Sequence, residues 1–192
     1  MKKQPRKIPT LQNLTNVALH YLGRYAASEA SLRRVLQNRL RRAALDRPEF
    51  AADYEKQKAL RSVIETIIEG HKKTGALNDA AFAEVKINSL RRQGRSRRAI
   101  EQKLTLKGID RTVAAKAFDR NDEGIEPEDV ERQAALKFAK RRKLGPFSVK
   151  IGDPHQQRKD IATMARAGFS FALIKAVLGH TIASEDELDF EG

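Results

Sequence analysis

Gly108-Ile109-Asp110-Arg111-Thr112-Val113-Ala114-Ala115-Lys116-Ala117-Phe118 is the stretch on which the fold turns. A glycine after a helical run stops that helix in the left-handed conformation. Asp110 then caps a new helix, and Val113, Ala114, Ala117 and Phe118 line one face of it. The same order returns sixty residues on: Gly168, Phe169, Ser170, then Leu173, Ile174, Val177 and Leu178. Val63, Ile64, Ile67 and Ile68 carry the stripe fifty residues earlier. A helix–turn–helix fragment that recurs in this way marks a repeat.

Working back from the stripe, Leu19, Leu22, Ser28, Leu32 and Leu36 match Ile87, Leu90, Ser96, Ile100 and Leu104 at an offset of 68. Ser28 and Ser96 read as N-caps, and Gly94-Arg95-Ser96 as a turn and cap. The offset falls to 50 for the following helix, so the first copy holds 18 extra residues, from Arg39 to about Gln57, broken at Pro48. No period-two strand is present. The predicted fold is all-α, an elongated array of three tandem three-helix repeats. They span 14–76, 77–122 and 126–181, between a basic tail, 1–13, and an acidic tail, 182–192. Each repeat is too small to bury a sufficient core alone, so neighbours must stack.

Charge is segregated along this array. The chain of 192 residues holds 38 Lys+Arg against 25 Asp+Glu, a formal charge of +13. Five of the acids, Glu185, Asp186, Glu187, Asp189 and Glu191, lie in the last nine residues and read as a solvated end. Arg91, Arg92, Arg95, Arg97, Arg98, Lys103, Lys107 and Arg111 form the densest basic run, relieved only by Glu101 and Asp110. Lys137, Lys140, Arg141, Arg142 and Lys143 form a second cluster, and Arg33, Arg34, Arg39, Arg41 and Arg42 a third. Local acids are too few to balance these runs, which points to an acidic partner. Arg95, Arg97 and Arg98 stand where a helix begins, and the helix dipole disfavours bases there. The expected binding residues are therefore Arg91, Arg92, Arg95, Arg97, Arg98, Lys103, Lys107, Lys140, Arg141 and Arg142.

No enzyme constellation is legible. There is no cysteine, which excludes disulfides and thiolate metal sites and fits a reducing cytosol. His20, His71, His155 and His180 are too scattered for metal-ligand spacing. Gly94-Arg95-Ser96 lacks the Gly-Lys-Ser/Thr end of a phosphate-binding loop. No run approaches the ~20 apolar residues of a membrane span. A cytoplasmic monomer with no cofactor, no metal and no catalytic residue is expected.

Four stretches together resemble the regulatory protein RecX family. They are Ala18-Leu19-His20-Tyr21-Leu22; Ser28-Glu29-Ala30-Ser31-Leu32; Gly75-Ala76-Leu77-Asn78-Asp79-Ala80-Ala81-Phe82-Ala83; and Arg91 to Gly94, continued by Ser96, Ile100, Leu104 and Lys107-Gly108-Ile109-Asp110. Their order and spacing carry the resemblance over about residues 15–180, with Leu22, Ser28, Leu32, Leu77, Asp79, Phe82, Gly94, Gly108 and Gly168 as its structural positions. The resemblance implies an all-helical, non-enzymatic protein of tandem three-helix repeats. It implies binding along the groove of the RecA nucleoprotein filament, and suppression of strand exchange, ATP hydrolysis and co-protease activity in DNA repair and the SOS response. The chain departs from the family in its first-repeat insertion, in the Gly145–His155 linker and in the acidic tail. Two other readings stand beside this one: a direct, weakly sequence-specific binder of single- or double-stranded DNA, and a scaffold for unrelated partners.

Overall fold

Each apolar stripe read from the sequence lies on a helix. A computed structural model describes residues 4–149 and 153–179, and among the described residues it contains ten α-helices, one 3-10 turn and no strand. The helices are α1 (Leu11–Leu22), α2 (Glu29–Asp46), α3 (Pro48–Ala52), α4 (Tyr54–Lys73), α5 (Asp79–Arg92), α6 (Arg97–Leu106), α7 (Arg111–Asn121), α8 (Pro127–Arg142), α9 (Pro154–Arg166) and α10 (Phe171–Leu178). The 3-10 turn is Gly145–Phe147. This is an all-α array of three-helix repeats. No helix among the described residues is long and apolar enough to cross a membrane. The acidic tail, His180, Lys2 and Lys3 lie outside the described residues.

The chain divides into two compact units. One comprises Met1–Ala83 with Leu104–Ala114, the other Glu84–Lys103 with Ala115–Gly192. In the first, Leu14 and Ala18 of α1, Leu32, Leu36 and Leu40 of α2, and Ile64, Ile67 and Ile68 of α4 form a buried core, with Phe50 of α3 among them. In the second, Ala134, Ala135, Phe138 and Ala139 of α8 pack with Met164, Phe169, Ile174, Val177 and Leu178. The aromatic rings of Phe138 and Phe169 stand 5.5 Å apart. The stripe that opened the reading has one burial pattern in all three repeats. Its first residue (Val63, Val113 or Leu173) is half-buried, and its other three are buried.

Local structure departs from expectation in three places. Leu19 is 55% exposed whereas Ile87, its match at an offset of 68, is fully buried. The buried faces pair Leu14 with Ala83 and Ala18 with Ile87 instead. The connection after α1 is longer than that after α5, so the first helices are one residue out of the register that the second helices keep. At the amino end, α1 begins at Leu11, inside the stretch read as a tail, because Thr10 caps it by accepting from the Asn13 N–H. Arg6 is held there by Asp46, 3.1 Å away. Finally, Pro48 starts a helix as well as ending one. It is the first residue of α3, where its missing N–H costs nothing.

Candidate interaction surface

The turn between the second and third helices of a repeat meets the start of the preceding repeat's second helix, and this joint occurs twice. In the first unit, the buried Ser28 caps α2 by accepting from the Ser31 N–H, and its hydroxyl donates to Lys107 O at 2.5 Å. In the second unit, the buried Ser96 accepts from the Ala99 N–H and donates to Ala167 O at 2.6 Å. Each acceptor carbonyl precedes a left-handed glycine, Gly108 at φ 75° or Gly168 at φ 91°. Only glycine fits at either place. A Cβ on Gly108 would stand 2.3 Å from the Cβ of Ala30, and one on Gly168 would stand 2.8 Å from Ser96 Oγ and 3.3 Å from the Cβ of Arg98. Ala30 and Arg98 are equivalent, each two residues past its capping serine.

A carboxylate completes each joint. Asp79 accepts from the Glu29 N–H at 2.8 Å, and Glu131 accepts from the Arg97 N–H with both oxygens at 3.1 Å. Both receive a first-turn amide that a helix leaves without an internal partner. Burial holds both carboxyls above their ordinary pKa, against the lowering effect of those amides. Glu131 alters the argument made from the helix dipole. The acid that the start of α6 calls for is present, supplied by α8 rather than by neighbours in sequence. No single offset relates Asp79 to Glu131, so the repeat pattern gives no signal for either.

The predicted basic residues accordingly separate by environment. Arg91, at the end of α5, bonds Asp122 at 2.6 Å, with both side chains largely buried. Arg97 pairs with Glu101 at 3.0 Å. The guanidiniums of Arg91 and Arg97 also stand 5.4 and 4.5 Å from the centre of the Phe118 ring. Arg91 Nε and Nη1, and Arg95 Nε, are buried without hydrogen-bond partners among the described residues. Arg91 and Arg97 thus have partners within the second unit. Arg92, Arg98, Lys103 and Lys107 are exposed. So are Lys140, Arg141 and Arg142 in the last turn of α8, where the dipole favours bases. Arg141 and Arg142 each lie 5.9 Å from the Phe138 ring centre.

Arg98 has a neighbour that sequence reasoning missed. A polar cleft of about 210 Å³ in the second unit is lined by Arg98, Ala99 and Gln102 of α6, by Ala165 and Arg166 of α9, and by Ala167 and Gly168. Arg98 and Arg166 are both exposed and have no ion-pair partner among the described residues. The equivalent positions of the first joint hold Ala30 and Leu106, so the joint itself needs neither arginine. Two arginines lining one polar cleft, with no carboxylate in its lining, suit a bidentate anion, carboxylate or phosphate. Among the described residues no group of three or more His, Asp or Glu is placed to hold a metal ion.

Comparison with known proteins agrees with this architecture. Residues 78–117 match the family model described as RecX, second three-helix domain. The chain is 42% identical over 178 residues to a protein named Regulatory protein RecX from Myxococcus xanthus strain DK1622, covering 92% of this chain and 89% of that one. It is 32% identical over 113 residues to the Regulatory protein RecX of Agrobacterium fabrum, covering 59% of this chain and 57% of that one. The crystal structure of RecX from Lactobacillus salivarius superposes with a TM-score of 0.60 at 18% identity, covering 88% of this chain and 94% of that one. That likeness is one of fold. The Myxococcus likeness extends over nearly the whole of each chain, and on it this chain belongs to the regulatory protein RecX family.

Proposed function

We propose that the chain binds the nucleoprotein filament of the recombinase RecA and negatively modulates its recombinase, ATPase and co-protease activities in DNA repair and the SOS response. In this reading it acts in the cytoplasm as a monomer of three repeats, 14–76, 77–122 and 126–181, without cofactor or catalysis. Membership of a family whose relatives are named regulatory proteins supports the general role. The observation that carries the site is the pair Arg98 and Arg166 across a polar cleft, two cations that the joint does not use. Arg92, Lys103, Lys140, Arg141 and Arg142 extend the basic face, whereas Arg91 and Arg97 orient and support it.

The test is inhibition of RecA ATPase on single-stranded DNA by an Arg98→Glu/Arg166→Glu variant. The double variant should keep the wild-type circular dichroism melt and lose inhibition by about tenfold or more in required concentration. Wild-type inhibition should itself weaken between low salt and about 0.1 M, where exposed charges are screened beyond roughly 10 Å. A folded double variant that inhibits at the wild-type concentration would move the binding face to Lys140, Arg141 and Arg142.

A further inference from the structure

The first-repeat insertion builds a second cleft, of about 480 Å³, in the unit that holds α1 to α4. Its lining is Gln37, Asn38, Leu40, Arg41 and Ala44 from α2, and Gln57 and Arg61 from α4. Gln37, Leu40, Arg41 and Ala44 fall at i, i+3, i+4 and i+7, and Gln57 and Arg61 at i and i+4, so two helix faces form the lips. The insertion supplies most of these residues, because it extends α2 to Asp46 and adds α3 ahead of α4.

The polar groups are arranged rather than scattered. Gln57 Nε2 donates to Phe50 O at 3.1 Å and to Ala51 O at 2.9 Å, both on α3. Its Oε1 accepts from Arg61 Nη2 at 3.2 Å. Thus α3 fixes Gln57, and Gln57 aims Arg61, with no acid involved. Arg41 and the carboxamides of Gln37 and Asn38 have no hydrogen-bond partner among the described residues. The cleft therefore offers two guanidiniums, two free carboxamides and an apolar floor at Leu40 and Ala44, and no carboxylate lines it.

Guanidiniums select an anion. A carboxamide carries a donor and an acceptor together, matching the N–H and C=O that each residue of an extended peptide presents. Single-stranded nucleic acid is held by stacking its bases on aromatic rings, and no aromatic ring lines this cleft. We propose that the cleft docks an extended acidic segment of a partner protein. Carboxylates meet Arg41 and Arg61, backbone groups meet Gln37 and Asn38, and an apolar side chain covers Leu40 and Ala44. This contact is separate from the Arg98–Arg166 cleft and goes beyond the role proposed above.

The experiment is fluorescence anisotropy of a labelled dodecapeptide repeating Asp-Ala-Glu-Leu, titrated with the full chain. Arg41→Glu and Arg61→Glu should each weaken binding by about tenfold or more with wild-type melting curves, and Gln57→Ala, which also gives up its bonds to α3, should weaken it less. Arg98→Glu/Arg166→Glu should bind the peptide as wild type does, which keeps this result independent of the filament assay. A peptide with Asn and Gln replacing the acids should not bind. The proposal is overturned if the acidic peptide fails to bind the wild type at 0.1 M salt, if both charge reversals bind it unchanged, or if a dT12 oligonucleotide displaces it.

Discussion

At Gly108 and Gly124 the backbone is nearly the same, φ 75° and 76°, yet their surroundings differ. A Cβ at Gly124 meets nothing within 4 Å, whereas one at Gly108 meets Ala30 at 2.3 Å. Comparing Gly108→Ala with Gly124→Ala therefore separates left-handed strain, common to both, from the close approach of two repeats. Strain alone costs about 1–3 kcal/mol, and Gly108→Ala should exceed Gly124→Ala by roughly another 1–3 kcal/mol of overpacking in chemical denaturation. Equal losses would mean that the joint at Ala30 has slack. The joint also accounts for a departure noted in the sequence. A short turn ending in glycine is needed where a repeat meets its predecessor. In the first repeat the longer insertion stands in place of that turn.

Between elements, the Arg91–Asp122 pair ties the end of α5 to the residue after α7, with 14% and 10% of the two side chains exposed. Removing one partner of a largely buried pair leaves the other charge without compensation, so Arg91→Ala should cost roughly 3 kcal/mol. Arg91→Ala/Asp122→Ala should be less destabilised than the sum of the two single variants, and a double-mutant cycle by urea denaturation measures the difference. Additive losses would show that the pair contributes no coupling. Arg91 and Arg97 both stand over the Phe118 ring, a contact that their sequence context, which reads as a binding surface, does not reveal. The helices themselves were legible, since capping and apolar spacing are local. The pairing of Arg91 with Asp122, thirty-one residues away, leaves no local trace.

For the whole molecule, the two joint carboxylates impose a dependence on pH. Burial raises the pKa of Asp79 and of Glu131, so the folded chain holds protons that the unfolded chain has released. The stability this gives is fully present below the ordinary carboxylate value, about 4, and is lost as pH rises through the raised folded values. Relative to an Asp79→Asn/Glu131→Gln variant, the wild type should lose melting temperature across that window. Parallel melting curves would show that both carboxyls ionise as freely folded as unfolded. Helix identity, repeat number, the left-handed glycines, the capping serines and the basic excess were all determined by the sequence itself, because each rests on spacing along the chain or on composition. What occupies the helix starts was not. Glu131 reaches the Arg97 N–H from α8, Asp79 reaches the Glu29 N–H from α5, and Arg166 joins Arg98 across a cleft. Those groups lie 34, 50 and 68 residues from their partners. Only packing brings Glu131 and Asp79 within hydrogen-bond range of those amides, so the tertiary structure alone decided which acid completes each helix start and which arginines share a cleft.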